Sequence, residues 1–75
     1  MEIIINGYIV RLIDDGTLDT VIKVKSGIGE DTYRYNSEFI AEQELRDNDG
    51  GMTTDGFKWL AEEAIEAFEC DMALR

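Results

Sequence analysis

The chain has 75 residues, 44% of them hydrophobic, and its 17 Asp and Glu against seven Lys and Arg give a formal net charge of −10 without histidine. This length predicts a single domain, 1–75, near the lower limit at which a hydrophobic core holds a chain together without staples or a partner, and the apolar content excludes intrinsic disorder. The negative charge disfavours direct binding to nucleic acid or anionic membranes and favours encounter with basic protein surfaces, although excess acid also keeps small proteins soluble.

Residues 2–25 are rich in β-branched and aromatic side chains, which predicts strands. Within them, Asn6-Gly7 is a strong type I′ turn signal that leaves two alternatives, a short hairpin or a bulge inside one long strand. We prefer the bulge, because four residues make a poor separate strand. Asp14-Asp15-Gly16-Thr17 is the clearer turn, and it predicts a hairpin that pairs residues 8–14 with residues 18–25.

The first strand of this hairpin has two apolar faces. Ile9 and Ile13 point to one side, while Val10 and Leu12 point to the other, because side chains alternate along a strand. One face is expected to pack on a helix, and the other is either capped by a second element or lies at a subunit contact. A homodimer is therefore one alternative for this chain.

The middle of the chain alternates between loops and short elements. Residues 26–31 are expected to form a flexible connection, followed by a third strand over residues 32–36. Ser37 is the predicted N-cap of a short helix over residues 38–46, which ends in the polar turn 47–51. The element order β-β-β-α-α suggests an antiparallel sheet with the helices on one face.

The stretch from Met52 to Arg75 is the most strongly patterned in the chain and predicts an amphipathic helix of about five turns. Thr53 is its predicted N-cap, and Asp55 in the first turn suits the helix dipole. Met52 and Phe57 are spaced as a hydrophobic staple. The apolar side comprises Phe57, Leu60, Ala61, Ala64, Ile65, Phe68 and Met72. The predicted fold is thus α+β, a three-stranded antiparallel sheet (β-β-β-α-α) with a short helix and a long C-terminal amphipathic helix packed on one face.

The residue types that enzymes use are scarce in this sequence. Without histidine and with Cys70 as its one cysteine, the chain offers no Ser-His or Cys-His pair and no zinc cluster. Gly27-Ile28-Gly29 falls short of any phosphate-loop pattern. We therefore predict that the protein is not an enzyme, with no catalytic residue and no cofactor. The lone cysteine fits a reducing compartment, and no apolar run approaches the roughly 20 residues of a membrane span, so a cytoplasmic location is expected.

One segment looks like a metal site. Residues 47–55 are similar to the middle of an EF-hand calcium loop, with Asp49-Gly50 at the tight turn. In that register Leu45 occupies the first ligand position and Gly56 the position of the closing carboxylate, so both end ligands are missing. A turn between two helices followed by an N-cap is the preferred interpretation, and no metal is predicted.

The outer face of the last helix carries the candidate partner-binding residues. Glu62, Glu66 and Glu69 follow an i, i+4, i+7 spacing, which places carboxylates about 6 Å and about 10 Å along one line of the helix. These intervals are similar to the spacing of phosphates along a nucleic-acid strand, so the row suits a groove built for DNA or RNA. Glu63 and Trp59 lie on the same face, and an exposed Trp beside charges is typical of an interface hot spot. The alternatives are an ordinary solvated helix face and a Trp59 that packs against a neighbouring helix or strand.

Further acidic residues cluster at the predicted turns. Of these, Asp14 and Asp15 are included among the candidate partner-binding residues. Each cluster by itself is also explained by turn chemistry and solubility. Lys23 and Arg34 on the strands are expected to pair with nearby acids.

In overall character, the chain resembles the small acidic proteins that bacteriophages make to block host defence or host enzymes, of which anti-CRISPR proteins are the best-known group. The resemblance covers the whole chain without a specific motif, and rests on the small α+β domain, the net charge of −10, the lack of catalytic residues and the surface carboxylates on a helix. It implies a stoichiometric inhibitor in the host cytoplasm that occupies a basic nucleic-acid-binding surface, such as that of a CRISPR effector, by DNA mimicry or by steric cover. The alternative function is a structural or regulatory protein-protein interaction module, including a homodimer.

Overall fold

The computed structural model describes residues 1–15 and 19–74, without the side chain of Asp15. Its elements are the strands β1 (Glu2–Ile5), β2 (Tyr8–Asp15), β3 (Asp19–Ser26) and β4 (Gly29–Asn36) and the helices α1 (Ser37–Glu42) and α2 (Thr54–Ala73). Within the described residues, four strands form one antiparallel sheet in the order β1-β2-β3-β4. The predicted α+β class is therefore confirmed, whereas the predicted strand number of three is wrong.

The additional strand arises at Asn6-Gly7, where our preference for a bulge is wrong. Both residues have positive φ angles, 49° at Asn6 and 85° at Gly7, as a type I′ turn requires. The turn makes β1 a separate strand that pairs antiparallel with β2. This strand is short, but Ile3 and Ile5 pack against the core, which supplies the stabilisation that four residues alone lack.

Strands β2 and β3 pair antiparallel, as the hairpin prediction expected. A bulge interrupts their register between Leu12 and Asp14. Gly16 and Thr17, which belong to the predicted turn, lie outside the described residues. The strand pairing is thus confirmed, and the turn type stays a prediction.

The segment 26–31, predicted to be a flexible connection, is instead a tight turn. Ser26 and Gly29 are paired across the ends of β3 and β4, so the loop contains Gly27 and Ile28 alone. The Ser26 hydroxyl accepts a hydrogen bond from the Ile28 N–H at 3.2 Å, which stabilises the turn. Strand β4 therefore begins at Gly29 and is longer than predicted.

The N-terminus of α1 lies one residue before the predicted start. Its N-cap is Asn36 rather than Ser37, because the Asn36 side chain accepts a hydrogen bond from the Phe39 N–H at 2.7 Å. Both residue types are good N-caps, so the sequence alone allowed either position. The cap also joins α1 directly to the end of β4.

Helix α1 ends at Glu42 rather than at residue 46. Glu44 adopts a left-handed φ of 54°, which a right-handed helix excludes, and Leu45 is buried in the core. The next turn is held by Asp47, whose carboxylate accepts hydrogen bonds from two backbone N–H groups at 2.9 and 3.1 Å. Residues 47–51 thus form the predicted polar turn between the two helices.

Helix α2 begins where the sequence predicts. The Thr53 hydroxyl oxygen accepts a hydrogen bond from the Gly56 N–H at 2.9 Å, which confirms the N-cap. Met52 and Phe57, the predicted staple, are both buried. A Cβ added to Gly56 would lie 2.3 Å from the carbonyl oxygen of Leu45, so no side chain fits at this position. The first turn of α2 and the preceding segment are therefore in close backbone contact.

The hydrophobic core lies between one face of the sheet and the two helices. Its buried members are Val10, Ile22, Val24, Ile40, Leu45, Met52, Phe57, Leu60, Ala61, Ala64, Ile65 and Phe68. Six of the seven residues predicted for the apolar side of α2 are among them, and the seventh, Met72, is half-buried against the core. The opposite face of the sheet, called here the outer sheet face, exposes Ile4 and Ile9. The same arrangement turns the charged side of α2 towards solvent.

Candidate interaction surface

The charged side of α2 is exposed to solvent. We call Glu62, Glu63, Glu66 and Glu69 the glutamate row, and all four residues are exposed. They project from the side of the helix opposite to the buried Phe68, as the helical period requires. In the part of the chain that the structure describes, none of the four forms an ion pair with a Lys or Arg. The glutamate row therefore presents negative charge that forms no ion pair, with the exposed Lys58 one turn before Glu62 as the nearest cation on α2.

The spacing of these carboxylates follows from helix geometry. At a rise of 1.5 Å per residue, Glu62 lies about 6 Å from Glu66 and about 10.5 Å from Glu69 along the helix axis. At 3.6 residues per turn, the three Cα positions lie within about 60° of each other around that axis. Asp55, also exposed, lies on the same side in the first turn. Helix α2 thus carries acidic residues along about 21 Å of one side, interrupted by the exposed Lys58 between Asp55 and Glu62.

Trp59 is both packed against a neighbouring helix and partly exposed, the two alternatives that the sequence allows. Its ring packs against Phe39 of α1 with the ring centroids 6.1 Å apart, and Phe39 in turn stacks on Tyr35 of β4 at 5.5 Å. Trp59 nevertheless remains 36% exposed. It is therefore held in position by its neighbours and is still accessible to a partner.

Tyr35, which belongs to the aromatic cluster with Phe39 and Trp59, has a hydroxyl pKa that responds to a nearby glutamate. Burial raises the pKa of the Tyr35 hydroxyl, and the negative charge of Glu63 raises that pKa further. Glu63 thus lies close enough to β4 for its charge to act on the aromatic cluster. The half-exposed aromatic side chains therefore adjoin the glutamate row.

Charge is divided unequally between the two halves of the sequence. Residues 37–75 contain eleven of the 17 acidic residues and three of the seven basic residues, a net charge of −8. Residues 1–36 contain six acidic and four basic residues, a net charge of −2. The half that contains both helices therefore carries most of the negative charge.

The basic residues of the sheet lie on the outer sheet face, away from the glutamate row. Arg11, Lys23, Lys25 and Arg34 alternate along their strands with side chains that enter the core. Three of them form ion pairs there: Arg11 with Glu2 at 2.7 Å, Lys23 with Glu30 at 3.4 Å and Arg34 with Asp19 at 3.7 Å. The predicted pairing of Lys23 and Arg34 with nearby acids is confirmed.

Asp14 does not join the glutamate row. Its partner across the sheet is Val21, which neighbours the core residue Ile22, so alternation places Asp14 on the outer sheet face. The sheet and the core therefore separate it from α2. The side chain of Asp15 lies outside the described structure, and the assignment of both aspartates to a binding surface stays a prediction.

Two features were not predicted from the sequence. Tyr33 donates a hydrogen bond to Asp71 at 2.8 Å, which ties β4 to the last turn of α2, and burial together with this bond raises the pKa of Tyr33. The second feature is a shallow depression in the outer sheet face, lined by Glu2, Ile9, Arg11, Lys23 and Lys25. The alternation Lys-Val-Lys in β3 is the signal that could have indicated a basic strip on one face.

Residues suited to metal binding are not brought together in the described structure. Among the described residues, no three of the types His, Cys, Asp and Glu are placed to hold a metal ion. Cys70 is free and exposed on α2. No described helix is both long enough and apolar enough to cross a membrane.

Similarity to known proteins gives no information about these surfaces. Comparison with known proteins yields no match, because no family model fits the chain and no curated protein or solved structure is significantly similar to it. Any inference about function therefore rests on the geometry and the charge of these surfaces.

Proposed function

We propose that the protein is a small, non-enzymatic inhibitor that binds a basic nucleic-acid-binding surface of another protein. The glutamate row of α2 occupies the groove that otherwise holds DNA or RNA. The observation that carries this proposal is that the four carboxylates are exposed and free of ion pairs within the described chain, while the sheet's basic residues lie on the outer sheet face. The character shared with small phage inhibitors of host defence makes a CRISPR effector an example of such a partner.

The spacing of the carboxylates supports mimicry of phosphates. Phosphates of one DNA strand advance about 3.4 Å per nucleotide along the duplex axis, so two and three steps cover about 7 Å and about 10 Å. The axial distances from Glu62 to Glu66 and Glu69 are about 6 Å and about 10.5 Å. Because a DNA strand also winds around the duplex axis, its phosphates lie farther apart in space than these axial steps, and the similarity is one of scale. Lys and Arg side chains that line a phosphate-binding groove would find carboxylates at comparable intervals along one line.

The energetics favour a partner whose groove is both positive and partly dehydrated. One ion pair at 4 Å contributes about 1 kcal/mol in water and about 4 kcal/mol at the effective dielectric constant near a protein surface. Trp59 adds an apolar anchor beside these charges, and its contact with Phe39 holds the ring in place before binding. Charge attraction and one aromatic contact together give a salt-sensitive interface.

The experiment is capture of partners by the tagged protein from a nuclease-treated lysate, at low salt and at about 1 M salt, where the Debye length falls to about 3 Å. The double variant Glu62→Lys, Glu66→Lys should lose the captured protein, with each substitution weakening binding about tenfold or more. The matched control is Glu42→Lys, Asp49→Lys, which changes the net charge equally at two exposed positions outside α2.

Two results would remove the proposal. The first is capture that is equally strong with the α2 variant and the control variant. The second is capture that persists unchanged at high salt. Competition by double-stranded DNA for a captured protein then separates the two modes, because a DNA mimic competes at the same groove whereas a steric cover can bind beside it.

The second candidate function is a structural or regulatory interaction module, including a homodimer. It is favoured by the apolar side chains exposed on the outer sheet face, where Ile4 is 67% and Ile13 51% exposed. Light scattering discriminates between the candidates. A dimer that persists at high salt, with no affinity for basic proteins, supports the module rather than the inhibitor.

A further inference from the structure

The outer sheet face contains a pocket lined by three cationic side chains and one carboxylate. This pocket, called here the basic depression, has a volume of about 190 Å³. It is lined by Glu2, Ile9, Arg11, Lys23 and Lys25. It therefore gathers three of the seven basic residues of a chain whose net charge is −10. The glutamate row takes no part in it, so this site is independent of the proposed function.

Strand register brings the three cationic side chains together. Arg11 of β2 lies directly opposite Lys23 of β3, and Lys25 follows two residues further along the same strand, opposite Ile9. Directly opposite side chains have Cβ atoms about 5 Å apart, and a two-residue step along a strand covers about 6.6 Å. Like charges placed this close repel each other unless an anion lies between them.

The protein's own acids compensate this repulsion only in part. Glu2 accepts hydrogen bonds from two nitrogens of Arg11, at 2.9 and 2.7 Å, and Glu30 pairs with Lys23 at 3.4 Å. Lys25 forms no ion pair within the described residues, although Glu30 lies directly opposite it on β4. An Arg guanidinium has five N–H donors and a Lys ammonium has three, so unused donors remain around the depression.

We propose that the basic depression is an oxyanion-binding site that takes a single phosphate or carboxylate group. The volume supports a small group, because pockets for drug-sized ligands measure about 300–1,000 Å³. Three cations face Glu2 and Glu30, so one positive charge is in excess. Lys25 supplies a cation outside the ion pairs, Arg11 is oriented by Glu2, and Ile9 provides an apolar wall against which a short hydrocarbon carrier can rest. Because the site is open to water, its affinity for a lone anion is weak, with a Kd of about 1 mM.

The test is a heteronuclear NMR titration of the intact protein with inorganic phosphate and, separately, with acetate, at ionic strength held constant with sodium chloride. Saturable shifts are expected at the amides of β2 and β3 around Ile9 and Lys25. Lys25→Gln should weaken the binding about fivefold to tenfold, as loss of one charge contact implies. Lys58→Gln is the matched control, since it removes the same charge from an exposed position on α2.

The outcomes are distinguishable. Saturation by phosphate, by acetate or by both supports the site and tells which oxyanion it prefers. Shifts that stay linear up to about 50 mM, far above the expected Kd, overturn the proposal. A Lys25→Gln variant that binds as tightly as the Lys58→Gln control overturns it as well. Failure of this test leaves the glutamate row untouched, because its residues lie on another element.

Discussion

Replacing Gly56 with alanine is expected to destabilise the protein, although alanine is the better helix former by about 1 kcal/mol. The added Cβ would lie 2.3 Å from the carbonyl oxygen of Leu45 and 2.8 Å from the hydroxyl oxygen of Thr53. The Leu45 carbonyl accepts a hydrogen bond from the Thr53 N–H at 3.0 Å, and the Thr53 hydroxyl caps α2. Relief of the clash therefore requires a shift of backbone or the loss of the N-cap.

The magnitude follows from these contributions. Overpacking costs about 1–3 kcal/mol and loss of a cap about 1 kcal/mol, while the gain in helix propensity offsets about 1 kcal/mol, which leaves a net loss of about 1–3 kcal/mol. At about 0.05–0.15 kcal/mol per residue, a domain of this length has a total stability of about 4–11 kcal/mol. The unfolding temperature should fall by about 5–20 °C, given about 4–8 °C per kcal/mol.

Thermal and urea unfolding followed by circular dichroism measure this loss. Gly51→Ala is the matched control, because the nearest atoms to its added Cβ are the Asp47 carboxylate oxygens at 3.8 and 3.9 Å, and its stability should stay within about 0.5 kcal/mol of the parent. A Gly56→Ala protein as stable as the parent would refute the close contact between α2 and Leu45.

Three further predictions concern charge, hydrogen bonding and turn geometry. Replacing Glu62 and Glu66 with Gln removes a like-charge i, i+4 pair and should raise the free energy of unfolding, measured by urea titration, by a few tenths of a kcal/mol. A lower free energy of unfolding would contradict the absence of compensating ion pairs. Tyr33→Phe removes the hydrogen bond to Asp71 and should cost about 1 kcal/mol at neutral pH. The pKa of Tyr33 in the folded protein is raised above the ordinary value of about 10, so the stabilisation by this hydrogen bond is present below pH 10 and is lost as the pH rises further. The parent and Tyr33→Phe proteins should therefore converge in stability in alkaline urea titrations. A constant difference would argue against the bond. Gly7→Ala forces a side chain onto a φ of 85° and should lower stability by about 1–2 kcal/mol, and an unchanged melting temperature would argue against the type I′ turn.

Local signals decided which parts of the fold could be predicted. The N-cap at Thr53 and the buried face of α2 depend on residues only a few positions apart, so the sequence pattern was sufficient. The turn signal at Asn6-Gly7 was equally local, but its outcome depended on whether a four-residue strand is stable. That stability comes from the packing of Ile3 and Ile5 on the core, which no local pattern contains.

The surface features also fall into those that a local pattern predicts and those that depend on contacts between distant segments. Exposure of the glutamate row follows from the helical period, whereas the position of Asp14 depends on a bulge after Leu12 that shifts the alternation of β2. The bond between Tyr33 and Asp71 joins residues 38 positions apart, and neither residue type signals its partner. Contacts between distant segments therefore decide which of the predicted acids share a surface.

The separation of charge favours the proposed interaction surface over an acidic coat that merely keeps the protein soluble. Solubility depends mainly on net charge, and interleaving the basic residues of the sheet with the glutamates would reduce repulsion while leaving the net charge at −10. Instead, Glu66 has like-charged neighbours at Glu62 and Glu69, and each such pair destabilises α2 by about 0.2–0.5 kcal/mol. Under the proposed function, a basic partner would relieve this repulsion on binding. Neutralising the row should therefore raise stability and weaken binding together, a combination that an acidic coat does not predict.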